Sequence, residues 1–200
     1  RHCVITTVNR DDLPDGGAAH FAQTIEAVRR EAGVSVEVLI SDLQGDHASL
    51  RAILAARPEV LAHNVETVPS LYLQVRPGSR YDRSLEVLRR AGEERHPGMY
   101  TKSSVMLGLG ETEEQVLAVA RDLRDAGVDI FTLGQYLAPT ERNHPVRRYY
   151  TPDEFDALGR EAKALGFHHV EAGPLVRSSY MAHRAVESPA EAVHAQGHLR

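Results

Sequence analysis

Four short stretches of the chain hold side chains able to do chemistry. "GPLVRSSY", residues 173–180, sets Arg177, Ser178 and Ser179 after a Gly-Pro turn, with no histidine or carboxylate spaced to make either serine a nucleophile. "HNVETVP", 63–69, puts Asn64 and Glu66 two residues apart, so on a strand both side chains leave the same face while His63, Val65 and Thr67 leave the other. An amide and a carboxylate placed together in this way can grip hydroxyls or an amino group. "TKSSVMLGLGET", 101–112, carries Lys102 in or beside a run apolar enough to be buried, in a chain whose only other lysine is Lys163. A buried lysine can be a Schiff-base nucleophile or a donor to a bound molecule, and at an edge it can simply reach out to water. "VNRDDLPDGG", 8–17, gathers Asn9, Arg10, Asp11, Asp12 and Asp15 before Gly16 and Gly17. Those glycines either let a ligand meet bare backbone at a helix start or close a solvated turn whose aspartates complement the helix dipole.

Other candidate chemistry is weaker. "GLGET" lacks the Gly-Lys-Ser/Thr ending of a nucleotide P-loop. The 11 histidines show no metal-ligand spacing; His168 and His169 are adjacent and so point to opposite sides of a strand. Tyr136, Tyr149 and Tyr150 read as packing residues or pocket walls, and Arg76 as a fork for a carboxylate, either a ligand's or that of Glu66.

Short β-branched runs alternate with longer amphipathic ones to position these groups, from "HCVITTV" and "HFAQTIEAVRREAG" through to "PDEFDALGREAKALG" and "FHHVEAG". Six strands are expected, too apolar for a sheet with one wet face, so helices should cover the sheet. Gly33, Gly127 and Gly166 each fall just past a helix and directly before a strand, where a left-handed backbone costs glycine little. Thr112 with Gln115, and Thr151 with Pro152 and Glu154, match capping boxes. The pattern predicts an α/β fold: a partial (β/α)6 TIM-type barrel with a parallel sheet, fewer strands than the eight of a closed barrel, and its chemistry on loops after the C-terminal strand ends.

Composition sets the outer limits. At 200 residues and 42% hydrophobic content the chain suits one domain, and a net charge of -5 argues against a general nucleic-acid binder. Cys3 is the single cysteine, so no internal disulfide forms, and no apolar run is long enough for a membrane span. The expectation is an intracellular, cytoplasmic protein. Arg1 leads directly into an apolar strand without a cap, which suggests a domain over 1–182 truncated at its N-terminal end, followed by a loosely ordered tail over 183–200.

Taken together, the strings "VITTVNRDDLPDGGAAHF", "HNVETVPSLYLQVRPGSRYDRSLEVL", "KSSVMLGLGETEEQV", "GQYLAPTERNHPV", "YYTPDEF" and "GPLVRSSY" resemble lipoyl synthase, of the radical S-adenosylmethionine (SAM) enzymes, over most of residues 4–182. The resemblance implies two 4Fe-4S clusters at the top of a partial barrel, one reducing SAM and the other, held by three cysteines and a serine, giving up sulfur. It implies insertion of sulfur at carbons 6 and 8 of an octanoyl chain borne by a lipoyl carrier protein or domain, of the H protein or dehydrogenase E2 type, with an outside electron donor and neither nucleic acid nor membrane as partner. It puts the serine ligand in "RSSY", Ser179 first and Ser178 second, with Arg177 in support. The softer thiolates should hold iron more firmly than this oxygen corner, which suits a cluster meant to be dismantled. It puts Asn9, Arg10, Asp12, Asn64, Glu66, Lys102, Gln135 and Tyr136 on the face that binds SAM and the octanoyl chain, Asn64 and Glu66 foremost to the cofactor. The family's two cysteine triads precede the strand with which this chain begins, and only Cys3 is present, so neither cluster can form on these residues alone. "TKSS" has a serine where the family more often has glycine, and "ERNHPV" departs from its usual "HLPV". The alternatives are a noncatalytic remnant that binds SAM or the carrier, and a barrel lyase using Lys102.

Overall fold

The computed structural model describes residues 2–179; the expected tail, 183–200, lies outside the described residues, as does Tyr180 of "RSSY". Among the described residues six strands form one sheet: β1 (His2–Thr6), β2 (Ser35–Leu39), β3 (Val60–Ala62), β4 (Tyr100–Leu107), β5 (Ile130–Gln135) and β6 (His169–Gly173). All neighbours pair in parallel and their order is the sequence order, β1 to β6. A doubly wound sheet would reverse its order partway, so this is the winding of a barrel left open between β1 and β6. The connections carry α1 (Ala18–Ala32), α2 (His47–Ala55), a single turn α3 (Tyr72–Val75), α4 (Tyr81–Glu94), α5 (Glu113–Asp125) and α6 (Pro152–Ala164).

Local signals explain most of the joints. Gly33, Gly127 and Gly166 have φ of 58°, 78° and 93°, the left-handed conformation that ends a helix and turns the chain into a strand. Thr112 with Gln115 and Thr151 with Glu154 form complete capping boxes at α5 and α6. At α1 the carboxylate of Asp15 accepts the amides of Gly17 and Ala19, both at 2.9 Å. The loop's own acid therefore occupies the helix start, the second of the two readings of this loop, a turn whose aspartate complements the helix.

Strand alternation divides the sheet into two unlike faces. Val36, Val38, Leu61, Val105, Leu107, Phe131 and Leu133 are buried under the helices with Ile25, Ile53, Leu88, Val119, Leu123 and Phe155. Each such side chain contributes roughly 1.5–3 kcal/mol by leaving water, so this face carries the stability. The alternate residues, among them Glu37, Asn64, Lys102, Ser104 and Thr132, face the concave interior and are polar yet buried.

One expected strand is cut short. "VLAHNVE" pairs regularly only over Val60–Ala62, because Glu66 takes a left-handed φ of 66°. The segment still runs beside β4: His63 donates to the Lys102 carbonyl, Glu66 to that of Ser104, and Met106 to that of Glu66. A kink held at both ends in this way keeps Glu66 in a conformation that non-glycine residues rarely adopt.

Candidate functional site

The C-terminal strand ends surround a cavity of about 530 Å³, lined by Leu39, Asn64, Glu66, Ser104, Met106, Gly134, Gln135, Tyr136, His144, Arg177 and Ser178 among others. That volume is in the range of small-molecule sites. Gly134 shapes the wall: a Cβ there would lie 2.2 Å from the Val176 carbonyl oxygen, so only glycine lets the turn after β6 close over β5.

Asn64 and Glu66 are the open polar groups of this cavity. Asn64 is 8% exposed and its Oδ1 has no hydrogen-bond partner among the described residues. Burial raises the Glu66 carboxyl above the ordinary range, opposed by a hydrogen bond from Asn64 and by the charge of Arg76. Arg76 makes no ion pair with Glu66; it donates to the Asn64 carbonyl at 2.9 Å and to the Tyr72 hydroxyl at 3.2 Å. Tyr72 donates to Ser84, Ser84 to Nε2 of His63, and Nδ1–H of His63 to the Ile40 carbonyl, at 3.3, 2.9 and 3.0 Å. A carbonyl only accepts, which fixes the proton on Nδ1. Burial pushes His63 down to about 4, so it stays neutral and this chain braces Asn64 from behind.

The remaining predicted residues divide. Gln135 lines the cavity, but its amide is engaged: it donates to the Tyr136 and Arg148 carbonyls and accepts from the Tyr150 amide, each at 3.0 Å. Tyr136 donates to the His144 carbonyl at 2.8 Å. Both hold the loop after β5 in place. Of the serine pair, Ser178 is a lining residue and Ser179 is exposed just beyond it, while Arg177 donates to the Val176 carbonyl at 2.7 Å. Asn9, Arg10 and Asp12 are not among the lining residues; Arg10 and Asp12 pair with each other at 2.7 Å on the surface.

Lys102 is neither a cavity donor nor an edge lysine. It is 1% exposed, and its Nζ donates to Oε1 of Glu37, also 1% exposed, at 2.8 Å beneath the cavity. His2 adds Nε2 at 3.4 Å from the other Glu37 oxygen. An amine enclosed against a carboxylate, with no opening to the cavity, is badly placed to attack a carbonyl, and this argues against the lysine-dependent lyase. Glycine-rich 108–110 is likewise closed from within, since the Glu111 carboxylate accepts the amides of Gly108, Leu109 and Gly110 at 2.6, 2.9 and 3.1 Å.

Sequence reading missed Leu39, Ser104, Met106 and His144. The first three share strand parity with residues that face inward, the one signal that marks them. His144 reaches the rim because its Nε2–H donates to the Leu109 carbonyl at 2.7 Å, a contact across 35 positions. Among the described residues no group of three or more histidine, cysteine, aspartate or glutamate side chains is placed to hold a metal, and no helix is long and apolar enough to cross a membrane.

Comparison with known proteins adds to this geometry. A family model described as the radical SAM superfamily matches residues 1–123. The lipoyl synthase of Rubrobacter xylanophilus is 57% identical over 188 residues, 94% of this chain and 58% of that protein. That of Koribacter versatilis is 56% identical over 186 residues, 92% of this chain and 61% of that protein. The chain thus spans about three fifths of the length of these relatives. Among solved structures a methylornithine synthase superposes with a TM-score of 0.64 at 17% identity, covering 85% of this chain and 56% of that one, a likeness of fold alone.

Proposed function

From the premise that the chain belongs to the radical SAM superfamily and is similar over nearly all its length to lipoyl synthases, we propose that it is the cofactor-facing part of a lipoyl synthase. The whole protein would insert two sulfur atoms, at carbons 6 and 8 of an octanoyl chain on a lipoyl carrier protein or domain, drawing electrons from an outside donor. The observation that carries the reading is the open pair at the cavity: the unpartnered Oδ1 of buried Asn64 beside the raised carboxyl of Glu66.

That pair fits SAM, whose ribose hydroxyls and ammonium are donors for an amide oxygen that lacks one and for a carboxyl whose hydrogen-bond donor is Asn64. SAM supplies the carbon radical that starts the reaction. This chain's contribution is to orient it: Asn64 and Glu66 accept its donors, the Arg76 and His63 network holds their backbone, and Leu39 and Met106 offer apolar wall. Gln135 and Tyr136 act by fixing the loop that walls the site.

The iron-sulfur clusters do not fit the residues present. A cluster is held mainly by thiolates, and Cys3, in β1 and away from the cavity lining, is the one cysteine in 200 residues. The reading requires cluster cysteines from elsewhere in the polypeptide. Ser179, or failing it Ser178, would add one oxygen ligand, with Arg177 nearby to favour its anionic form. Residues 1–182 would act as one barrel unit. The test is turnover by the full-length protein of an octanoylated carrier with SAM and a reductant. Lipoylated product is expected, and SAM binding without any product would reduce the protein to a binding remnant.

A further inference from the structure

All five large hydrophobic side chains that are exposed among the described residues lie on one end of the barrel. Val8, Leu73, Leu137, Tyr149 and Leu175 are between 50% and 84% exposed, and each sits in a connection leaving the C-terminal end of a strand. Two of them border the cavity, Leu137 as a lining residue and Leu175 directly before the lining residue Val176, and Leu73 stands on the short helix α3 that supplies the lining residue Val75. Charge is divided on the same end. The connections after β1 and β2 carry Asp11, Asp12, Asp15, Asp42 and Asp46, of which Asp12 is paired with Arg10 and buried Asp42 with Arg83, whereas the loop after β5 carries Arg142, Arg147 and Arg148 against Glu141, and the turn after β6 carries Arg177. Arg148 is paired with Glu113 and Glu154, but Arg142, Arg147 and Arg177 are exposed with no carboxylate partner among the described residues.

We propose that Leu73, Leu137 and Leu175, with Arg142 and Arg147 beside them, form the docking surface on which the acyl-bearing carrier domain is held through an acidic face. The inference rests on the proposed function, which requires an acyl chain to enter this cavity while still attached to a folded protein. Such a protein must cover the mouth. The uncovered leucines would supply the apolar centre of the contact, and the unpaired arginines a rim that speeds encounter with an acidic surface and orients it. The acidic half of the same end repels that partner, so the docked domain is displaced toward β5 and β6.

The experiment uses the full-length protein with Arg142→Glu and Arg147→Glu combined, and Leu73→Asp separately. Two substrates are compared, an octanoylated lipoyl carrier domain and a short octanoyl-lysine peptide. For the charge-reversed protein, KM for the domain should rise about tenfold and lose most of its salt dependence, while turnover of the peptide is unchanged. Leu73→Asp should weaken the domain alone. Equal KM values for the domain, or equal losses on both substrates, overturn the docking surface. So does a lower melting temperature for Leu73→Asp, which would mean that the protein's own chain covers that side chain, or dissociation of a dimer by the arginine changes, which would make the occupant a second copy. Should neither substrate turn over, carrier binding by calorimetry still reads the docking surface: binding lost in the charge-reversed protein upholds it while the proposed function fails, and undiminished binding overturns it.

Discussion

Two glutamates on the concave side of this barrel, Glu37 buried and Glu66 half-buried, have opposite fates. Glu37, at the floor, is closed in: Lys102 donates to it at 2.8 Å, and both are 1% exposed. Glu66, at the mouth, has Asn64 as its hydrogen-bond donor and no ion pair, and burial raises its carboxyl. A buried charge must be paired, hydrogen-bonded or neutralised by a proton. The floor takes the first course and is finished as a structure. The mouth is left short of donors, with a second acceptor, Oδ1 of Asn64, idle beside it. The difference separates what holds the barrel from what it holds.

Removing the floor's cation should have the largest effect on stability. Lys102→Met leaves Glu37 buried without its partner and should cost about 3–5 kcal/mol, lowering the melting temperature by roughly 10 °C or more. Adding Glu37→Leu should recover most of that loss in the same thermal denaturation, because a buried pair replaced by apolar groups is often neutral. If Lys102→Met melts normally and abolishes SAM binding instead, floor and mouth are one site and the contrast is broken.

Gly134→Ala comes next. Its Cβ would meet the Val176 carbonyl oxygen at 2.2 Å, so the turn carrying Arg177 and Ser178 must move. A loss of about 1–3 kcal/mol is expected. Hydrogen exchange should quicken in 174–179 and stay unchanged around Glu37, which would sharpen the division between the two regions.

An effect of comparable size, about 3 kcal/mol at most, should follow from pH. His63 has its folded value lowered to about 4 from 6.5. Between those values the unfolded chain binds a proton that the folded chain does not, so stability falls as pH drops from 6.5 toward 4. Chemical denaturation across that range should show the slope, and His63→Gln should flatten it while leaving the Lys102 pair untouched.

The fold was largely legible because its signals are local. Gly33, Gly127 and Gly166 announce the helix ends, and the threonine caps announce two helix starts, each within a few residues of chain. The site was legible in part: Asn64 and Glu66 were expected on one face and both line the cavity, although the strand ends at Ala62 and Glu66 reaches it through a left-handed kink. It was illegible where a long-range partner decides. Lys102 is a floor residue because strand register sets Ala62 beside it and Glu37 beside Val60, information that no window around Lys102 contains. Gln135 resembles a free amide in "GQYL" and is consumed by the backbone at Arg148 and Tyr150. In each case chemistry suggested by residue type was absorbed by a partner that only tertiary structure supplies.

The central claim, that the mouth is open for SAM while the floor is closed, is tested most directly by titrating SAM into the full-length protein and its Glu66→Gln variant by calorimetry. The account predicts a loss of about ten- to a hundredfold in affinity, as for a hydrogen bond to a charged group, with the melting temperature within about 2 °C of the parent. Unchanged affinity, or a loss accompanied by unfolding like that expected for Lys102→Met, would contradict it.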